Sequence, residues 1–397
     1  MMQDYQTLDE RFATLALWYI TNTSLVAFYK LIGRFGSAKE ALYQNVAQWQ
    51  SLGVHVAHIK RWQDHADVMA VLDRINDECE RGLYHLLFLQ DERYPKMLQE
   101  IYDPPPMLFC RGQVERLSDK QIAIVGSRHP TDFAGKITFD MAQYLTYHGL
   151  TITSGMAGGV DKSAHLGALS GGGGQTVGVL GTGIDVCYPK NHNALYAQII
   201  HDGGCLVSEL LPSTPASKHT FPRRNRLVAG LSLATVVTEA AMQSGSLITA
   251  RLTAEQGKQV FAVPSSIDNA NAEGCHHLIR EGATLIYHPS QIIDELRESV
   301  SGYTVLPKSF SHELSAYKEC NDGKPKNNET YATSDKHYPD DIPEHLQDLW
   351  DKLTHQMVDL DMLMTATHLE AGQLLAGLTE LEILGLVQAV GGRYARV

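Results

Sequence analysis

Gln121-Ile122-Ala123-Ile124-Val125-Gly126-Ser127-Arg128 reads as a short buried strand that runs straight into a glycine turn and an arginine. Five uncharged residues in a row suit a strand covered on both faces, and Gly126 lets the backbone come close to a ligand. Ser127 offers a hydroxyl and Arg128 a two-pronged donor for phosphate. A plain turn followed by a solvent-facing arginine has the same spelling, so the surrounding segments decide.

Further strands are predicted over 150–153, 175–180, 205–208, 234–238, 259–263 and 284–287. Helices are predicted over 133–147, 162–169, 192–201, 224–231, 246–256, 275–280 and 290–297. Short apolar strands alternating with helices call for a doubly wound, mainly parallel α/β sheet, whose ligands sit beyond the carboxyl ends of the strands. Those ends are rich in small residues. The second strand leads into Ser154-Gly155-Met156-Ala157-Gly158-Gly159, and the third into Gly181-Thr182-Gly183-Ile184-Asp185, followed by Tyr188-Pro189. Such turns aim backbone N–H groups at an anion.

The strongest local feature follows. Lys218, Phe221, Arg223, Arg224, Asn225 and Arg226 concentrate positive charge beside an aromatic ring in a chain of formal net charge −12. Guanidinium groups for phosphates and a ring for an unstacked base are the pairing that a single nucleic-acid strand requires. A helix starting near Arg223 places Arg223 and Arg226 on one face and points Arg224 elsewhere. The competing reading buries Phe221 in the core and ties the arginines into ion pairs. Ser244-Gly245-Ser246 either caps the next helix or presents N–H groups to a further phosphate.

Several chemistries are excluded. A GxGxxG turn needs glycine where Val186 stands, and Gly135-Lys136 is followed by Ile137, which is no phosphate loop. The GxSxG elbow of serine hydrolases is missing at every strand end, although Ser154, Asp161 and His165 lie close in sequence. Cys275-His276-His277 is the one dense cluster of metal-ligand types, and adjacent residues do not converge on one ion, so no metal and no cofactor are expected. Glu209 and Glu239, which follow strands, either anchor the adjacent basic segment or leave open an alternative in which a nucleotide hydrolase or N-glycosidase uses the same cleft. The six scattered cysteines read as reduced thiols. The opening Met1-Met2-Gln3-Asp4-Tyr5-Gln6 resembles no signal peptide, and the run 227–237 is too short to cross a bilayer. A cytoplasmic protein without membrane insertion is the expectation.

A chain of 397 residues has room for more than one core. Residues 1–90 read as a helical domain, in which Leu31–Ala38 turns one helix into another with a glycine at the bend and Ser37 as a cap. Asp103-Pro104-Pro105-Pro106 reads as a stiff linker into an α/β domain over 91–300. Residues 301–341 read as a flexible linker, and 342–397 as a winged helix with helices over 346–353, 359–366 and 370–386 and a hairpin over 387–396. Its third helix carries Glu370, Glu380 and Glu382 without Lys or Arg, the wrong sign for facing DNA, which favours a protein-contacting role.

Taken in order, these segments resemble the DNA-processing protein A family, also called the Smf family, of natural-transformation proteins. The resemblance runs from Tyr94-Pro95 through Ile122–Arg128, Ser154–Leu169, Val179–Pro189, Ser208-Glu209, Phe221–Ser232 and Ser244–Ala250 to Gly282-Ala283, and returns in the last helix over 378–387. It implies an extended Rossmann-like domain flanked by an N-terminal helical domain, similar to a SAM-like module, and a C-terminal winged helix. It also implies noncatalytic binding of single-stranded DNA, a homodimer, and loading of RecA recombinase onto strands that single-strand binding protein can also coat. Around the DNA pocket it places Arg128, Lys218, Phe221, Arg223, Arg224, Asn225 and Arg226, and the turns carrying Gly126, Ser127, Ser154, Gly155, Ser244, Gly245 and Ser246 complete the expected site. The chain departs from the family at Gly158, where arginine is frequent, and at Ser265 and His276, where glycine and asparagine are usual.

Overall fold

The computed structural model describes residue 5, residues 7–297 and most of residues 343–396. Its main sheet has nine strands: β1 (His85–Phe88), β2 (Met107–Gly112), β3 (Gln121–Val125), β4 (Thr151–Gly155), β5 (Thr176–Val179), β6 (Cys205–Ser208), β7 (Ala234–Val237), β8 (Gln259–Ala262) and β9 (Thr284–Leu285). They lie in the order β1-β2-β6-β5-β4-β3-β7-β8-β9. From β6 to β9 all neighbours are parallel, and β1 and β2 add an antiparallel flap beside β6. All seven strands expected from sequence are present, with ends shifted by no more than two residues. The two antiparallel strands were not expected: the stretch read as a proline linker delivers the chain into β2.

Alternation along β3 shows why both faces are apolar. Ile122 and Ile124 pack with Met141, Leu145 and Ala164 from the helices Asp132–Tyr147 and Val160–Ser170. Ala123 and Val125 pack on the opposite face with Leu227, Val228 and Ala250 from the helices Thr220–Leu231 and Ser246–Glu255. Chain direction across the sheet reverses between β3 and β7: β3 is followed by β4 on one side, and β7 by β8 on the other. The loops beyond these carboxyl ends therefore diverge and leave a crevice.

The N-terminal helices share a core with the sheet. Trp18, Phe28 and Trp49 belong to the same buried cluster as Phe109 and Leu206, and residues 1–308 form one compact unit. The sequence over 11–31 reads as a single helix, but it forms two, Glu10–Ile20 and Leu25–Phe35, because Asn22 and Thr23 turn the chain with φ of 51° and 58°. Gly36 and Ser37 behave as expected, with Gly36 at φ 88° ending one helix and Ser37 accepting from the Glu40 N–H to start the next.

The second unit spans residues 309–397. Gln347–Lys352 and Ala371–Ile383 are helices, and the hairpin Val387–Val390 with Arg393–Arg396 is joined by the short strand Val358–Asp359. Asp359, expected to open a helix, thus sits in the wing sheet. Leu346, Leu349, Leu374, Leu378 and Leu381 fill the core. The linker expected over 301–341 lies outside the described residues.

Candidate nucleic-acid interface

Three strand ends and the start of one helix enclose a cleft of about 330 Å³. Arg128 and His129 follow β3, Met156–Gly158 follow β4, and Gly181 and Thr182 follow β5. Phe221 and Arg224 come from the Thr220–Leu231 helix, which begins four residues earlier than expected and carries Pro222 in its first turn, where a missing N–H costs nothing.

Two glycines make this arrangement possible. A Cβ on Gly181 would stand 2.7 Å from the Phe221 ring, and one on Gly155 would collide with the Arg224 guanidinium. Both are close approaches that a side chain would forbid. The Phe221 ring lies 6.0 Å from the Arg128 guanidinium and 5.2 Å from the Tyr188 ring, tilted by 38°. Arg224 is 7% exposed, donates from Nη1 to the Val179 carbonyl at 2.5 Å, and keeps an Nε without a hydrogen-bond partner among the described residues. Burial pushes its pKa down, while the Asp161 carboxylate acts in the opposite direction. Asp161 is itself pushed up by burial and drawn down by Arg224 and by the Ala157 N–H that it accepts. The floor of the cleft is thus a buried cation backed by a buried acid.

The basic run divides. Arg223 places Nε 2.8 Å from Glu209 Oε1, and Arg226 donates to Glu209 Oε2 and, at 2.7 Å, to the Asp103 carbonyl. These two arginines share one face, as expected, but that face meets Glu209 and not the cleft. The ion-pair reading therefore describes Arg223 and Arg226, and the ligand-facing reading describes Arg224. Asn225 donates to the Gly245 carbonyl at 3.2 Å, which ties it to the Ser244–Ser246 turn. There the Ser244 and Ser246 hydroxyls bond each other at 2.6 Å, and neither caps the helix; Gly245 stands at the cap. Ser127 donates its N–H to the Glu239 carbonyl, Gly126 packs against Glu239 and Val160, and Ser154 Oγ donates to the Ile124 carbonyl at 2.6 Å, so all three shape the frame. Lys218 is exposed and outside the cleft lining.

Of the residues proposed from sequence, Arg128, Phe221 and Arg224 meet in one cleft, with Gly155 beneath. Tyr188 was missed as a wall residue. It is 43% exposed beside Phe221, and its signal was its place directly after the Gly181–Asp185 turn. The carboxylates weighed for hydrolysis are both committed: Glu209 to two arginines, and Glu239 to Thr131 N and Oγ1 at 3.0 and 2.7 Å and to Asn269 at 3.3 Å. His165, weighed with Ser154 and Asp161, faces the Gly155 carbonyl and Thr176 Oγ1, each at 2.7 Å. The five described cysteines are free thiols, and no cluster of metal-ligand side chains occurs among the described residues.

A doubly wound sheet with a cationic, aromatic-walled cleft at its carboxyl edge defines a Rossmann-like α/β protein. Comparison narrows the class. Residues 85–297 match the family model described as DNA recombination-mediator protein A, and residues 337–393 match the DprA winged helix domain. Protein Smf of Escherichia coli is 34% identical over 318 residues, covering 80% of this chain and 79% of its own. DNA processing protein DprA of Streptococcus pneumoniae is 43% identical over 205 residues, 52% of this chain and 72% of that one. The X-ray structure of DprA from the same organism superposes with a TM-score of 0.61 at 32% identity, covering 72% of this chain and 97% of that chain. The chain belongs to the DNA recombination-mediator protein A family, the DprA/Smf proteins, and is a recombination mediator. No helix among the described residues is long and apolar enough to cross a membrane.

Proposed function

We propose that the cleft holds single-stranded DNA, with Phe221 and Tyr188 as the platform for an unstacked base and Arg128 and Arg224 as phosphate partners. The observation that carries this reading is the meeting of two rings and two guanidiniums at the carboxyl edge of the sheet. Base stacking tolerates any base, and phosphate contacts carry no sequence, so binding is nonspecific but selective for single strands. A net charge of −12 confines the interaction to this face. Lys218, Asn225 and Ser244–Ser246 then extend the path of the backbone beyond the cleft, while Gly126, Ser127, Ser154, Gly155, Arg223 and Arg226 hold its walls.

The mediator delivers its strand, which single-strand binding protein can also coat, to RecA recombinase in the cytoplasm and works as a homodimer. Exposed apolar groups at the β9 end of the sheet, Leu285 and Tyr287, support a self-association surface there. The working division is a helical region over 1–90, a DNA-binding region over 91–300, a linker over 301–341 and a winged helix over 342–397 that meets a protein partner.

Fluorescence anisotropy with a labelled oligo-dT at fixed salt tests the site. Phe221→Ala should cost about 1–3 kcal/mol of binding, and Arg128→Ala should weaken binding and flatten its salt dependence by about 0.7 per lost phosphate contact. Full affinity retained in Arg128→Ala, Phe221→Ala and Arg224→Ala together overturns the cleft as the DNA site.

A further inference from the structure

We infer that the N-terminal helical layer positions the cleft, through Trp18 and Thr23 acting on Arg223 and Glu209; this rests on the reading of the cleft as the single-strand site. Trp18 is fully buried on the Glu10–Ile20 helix and donates its indole N–H to the Glu209 carbonyl at 3.0 Å. The Arg223 guanidinium stands 5.5 Å over the Trp18 ring and donates from Nη1 to Thr23 Oγ1 at 3.4 Å. Glu209 in turn holds Arg223 and Arg226 on the same helix whose first turn supplies Phe221 and whose next residues supply Arg224. An unbroken set of contacts therefore runs from the helical layer to the first helical turn, which supplies the ring of the cleft.

A second observation points the same way. Thr23 is β-branched, 8% exposed and at φ 58°, a backbone region that glycine fills at far lower cost. Its N–H is satisfied by the Trp18 carbonyl at 2.9 Å, so the turn folds Thr23 back onto the helix that bears Trp18. Of the side-chain groups that threonine has and glycine lacks, the hydroxyl is the polar one, and it meets Arg223. Strained residues of this kind collect where a fold sets functional geometry. Trp18, Thr23 and Glu209 are positioning residues, and none of them lines the cleft.

The full chain carrying Trp18→Phe, which keeps an aromatic ring but removes the indole N–H, should bind oligo-dT roughly threefold to tenfold more weakly with an unchanged salt slope, since ring placement and not the number of phosphates is altered. Thr23→Gly relieves the turn and should keep or raise the urea midpoint while also weakening binding, which separates positioning from folding. Placing either change in a Phe221→Ala background should add little further loss, because the group being positioned is gone. Undiminished affinity in both folded single variants, with Phe221→Ala still defective, overturns this inference alone. Equal losses with and without Phe221 overturn it too, and normal binding by Phe221→Ala overturns the cleft reading together with it.

Discussion

Arg224 and Arg226 stand two residues apart on one helix, are 7% and 6% exposed, and have opposite surroundings. Arg226 faces a carboxylate at bonding distance, with Arg223 on that acid's other oxygen and Asp103 behind. Arg224 faces a carbonyl and an open cleft, with its acid, Asp161, acting from farther away. A cation whose charge is matched by a bonded acid is part of the frame; one left only partly matched beside a cleft is available to an anion. Charge count in sequence cannot separate the two, and the location of the acids does.

The largest effect that sharpens this contrast is on stability. Glu209→Ala leaves two arginines facing a buried gap, and breaking a buried pair from one side costs about 3–5 kcal/mol. A urea midpoint lowered accordingly, against a smaller loss for Arg224→Ala, is the expected pattern. If Glu209→Ala unfolds at the wild-type midpoint, Arg226 is no more structural than Arg224 and the contrast fails.

The frame was legible where local pattern dictates it. Gln121–Val125 and Cys205–Ser208 are strands at the predicted bounds because apolar runs of that length, stopped by glycine or charge, have few other uses. β1 and β2 were not legible: Met107–Gly112 follows three prolines, is buried for most of its length, and shows no alternation that would set it apart from a linker. The site divided in the same way. Phe221 and Arg128 were found from residue type and their place after a strand or before a helix, which is local information. That Arg223 and Arg226 belong to Glu209 was unreadable as a choice, since it depends on a partner chosen by the fold; Trp18, which fixes Glu209, lies 191 residues away.

A middle-sized effect concerns the support beneath Gly155. Burial pushes the His165 pKa down to about 4 from an ordinary 6.5, while its bond to the Gly155 carbonyl raises it less. Between those values the unfolded chain takes up a proton that the folded chain refuses, so stability falls as pH drops from about 6.5 to about 4 and is unaffected above that window. The full contribution is on the order of 3 kcal/mol. Urea unfolding at pH 7 and pH 4.5 should show the loss, and His165→Gln should reduce the pH slope. An identical slope in that variant would assign the acid sensitivity to other groups and leave the floor of the cleft indifferent to pH.

The smallest effect is a gain, and it tests the contrast from the cleft side. Gly158 lines the cleft together with Arg224, its φ lies outside the left-handed region, and a Cβ there would come no closer than 3.8 Å to its nearest neighbour, the Arg128 carbonyl. The backbone thus accepts a side chain where the family resemblance places arginine. Gly158→Arg adds a cation with no carboxylate to pair with on the cleft wall, since the lining contains no Asp or Glu. If a free guanidinium is what marks the DNA side of this fold, oligo-dT should bind more tightly by about tenfold at low salt and the salt slope should steepen by about 0.7. Stability should change little. Tighter binding with an unchanged slope would mean that the new side chain stacks and does not meet phosphate; no gain at all would mean that Arg128 and Arg224 already saturate the strand's phosphates within the cleft.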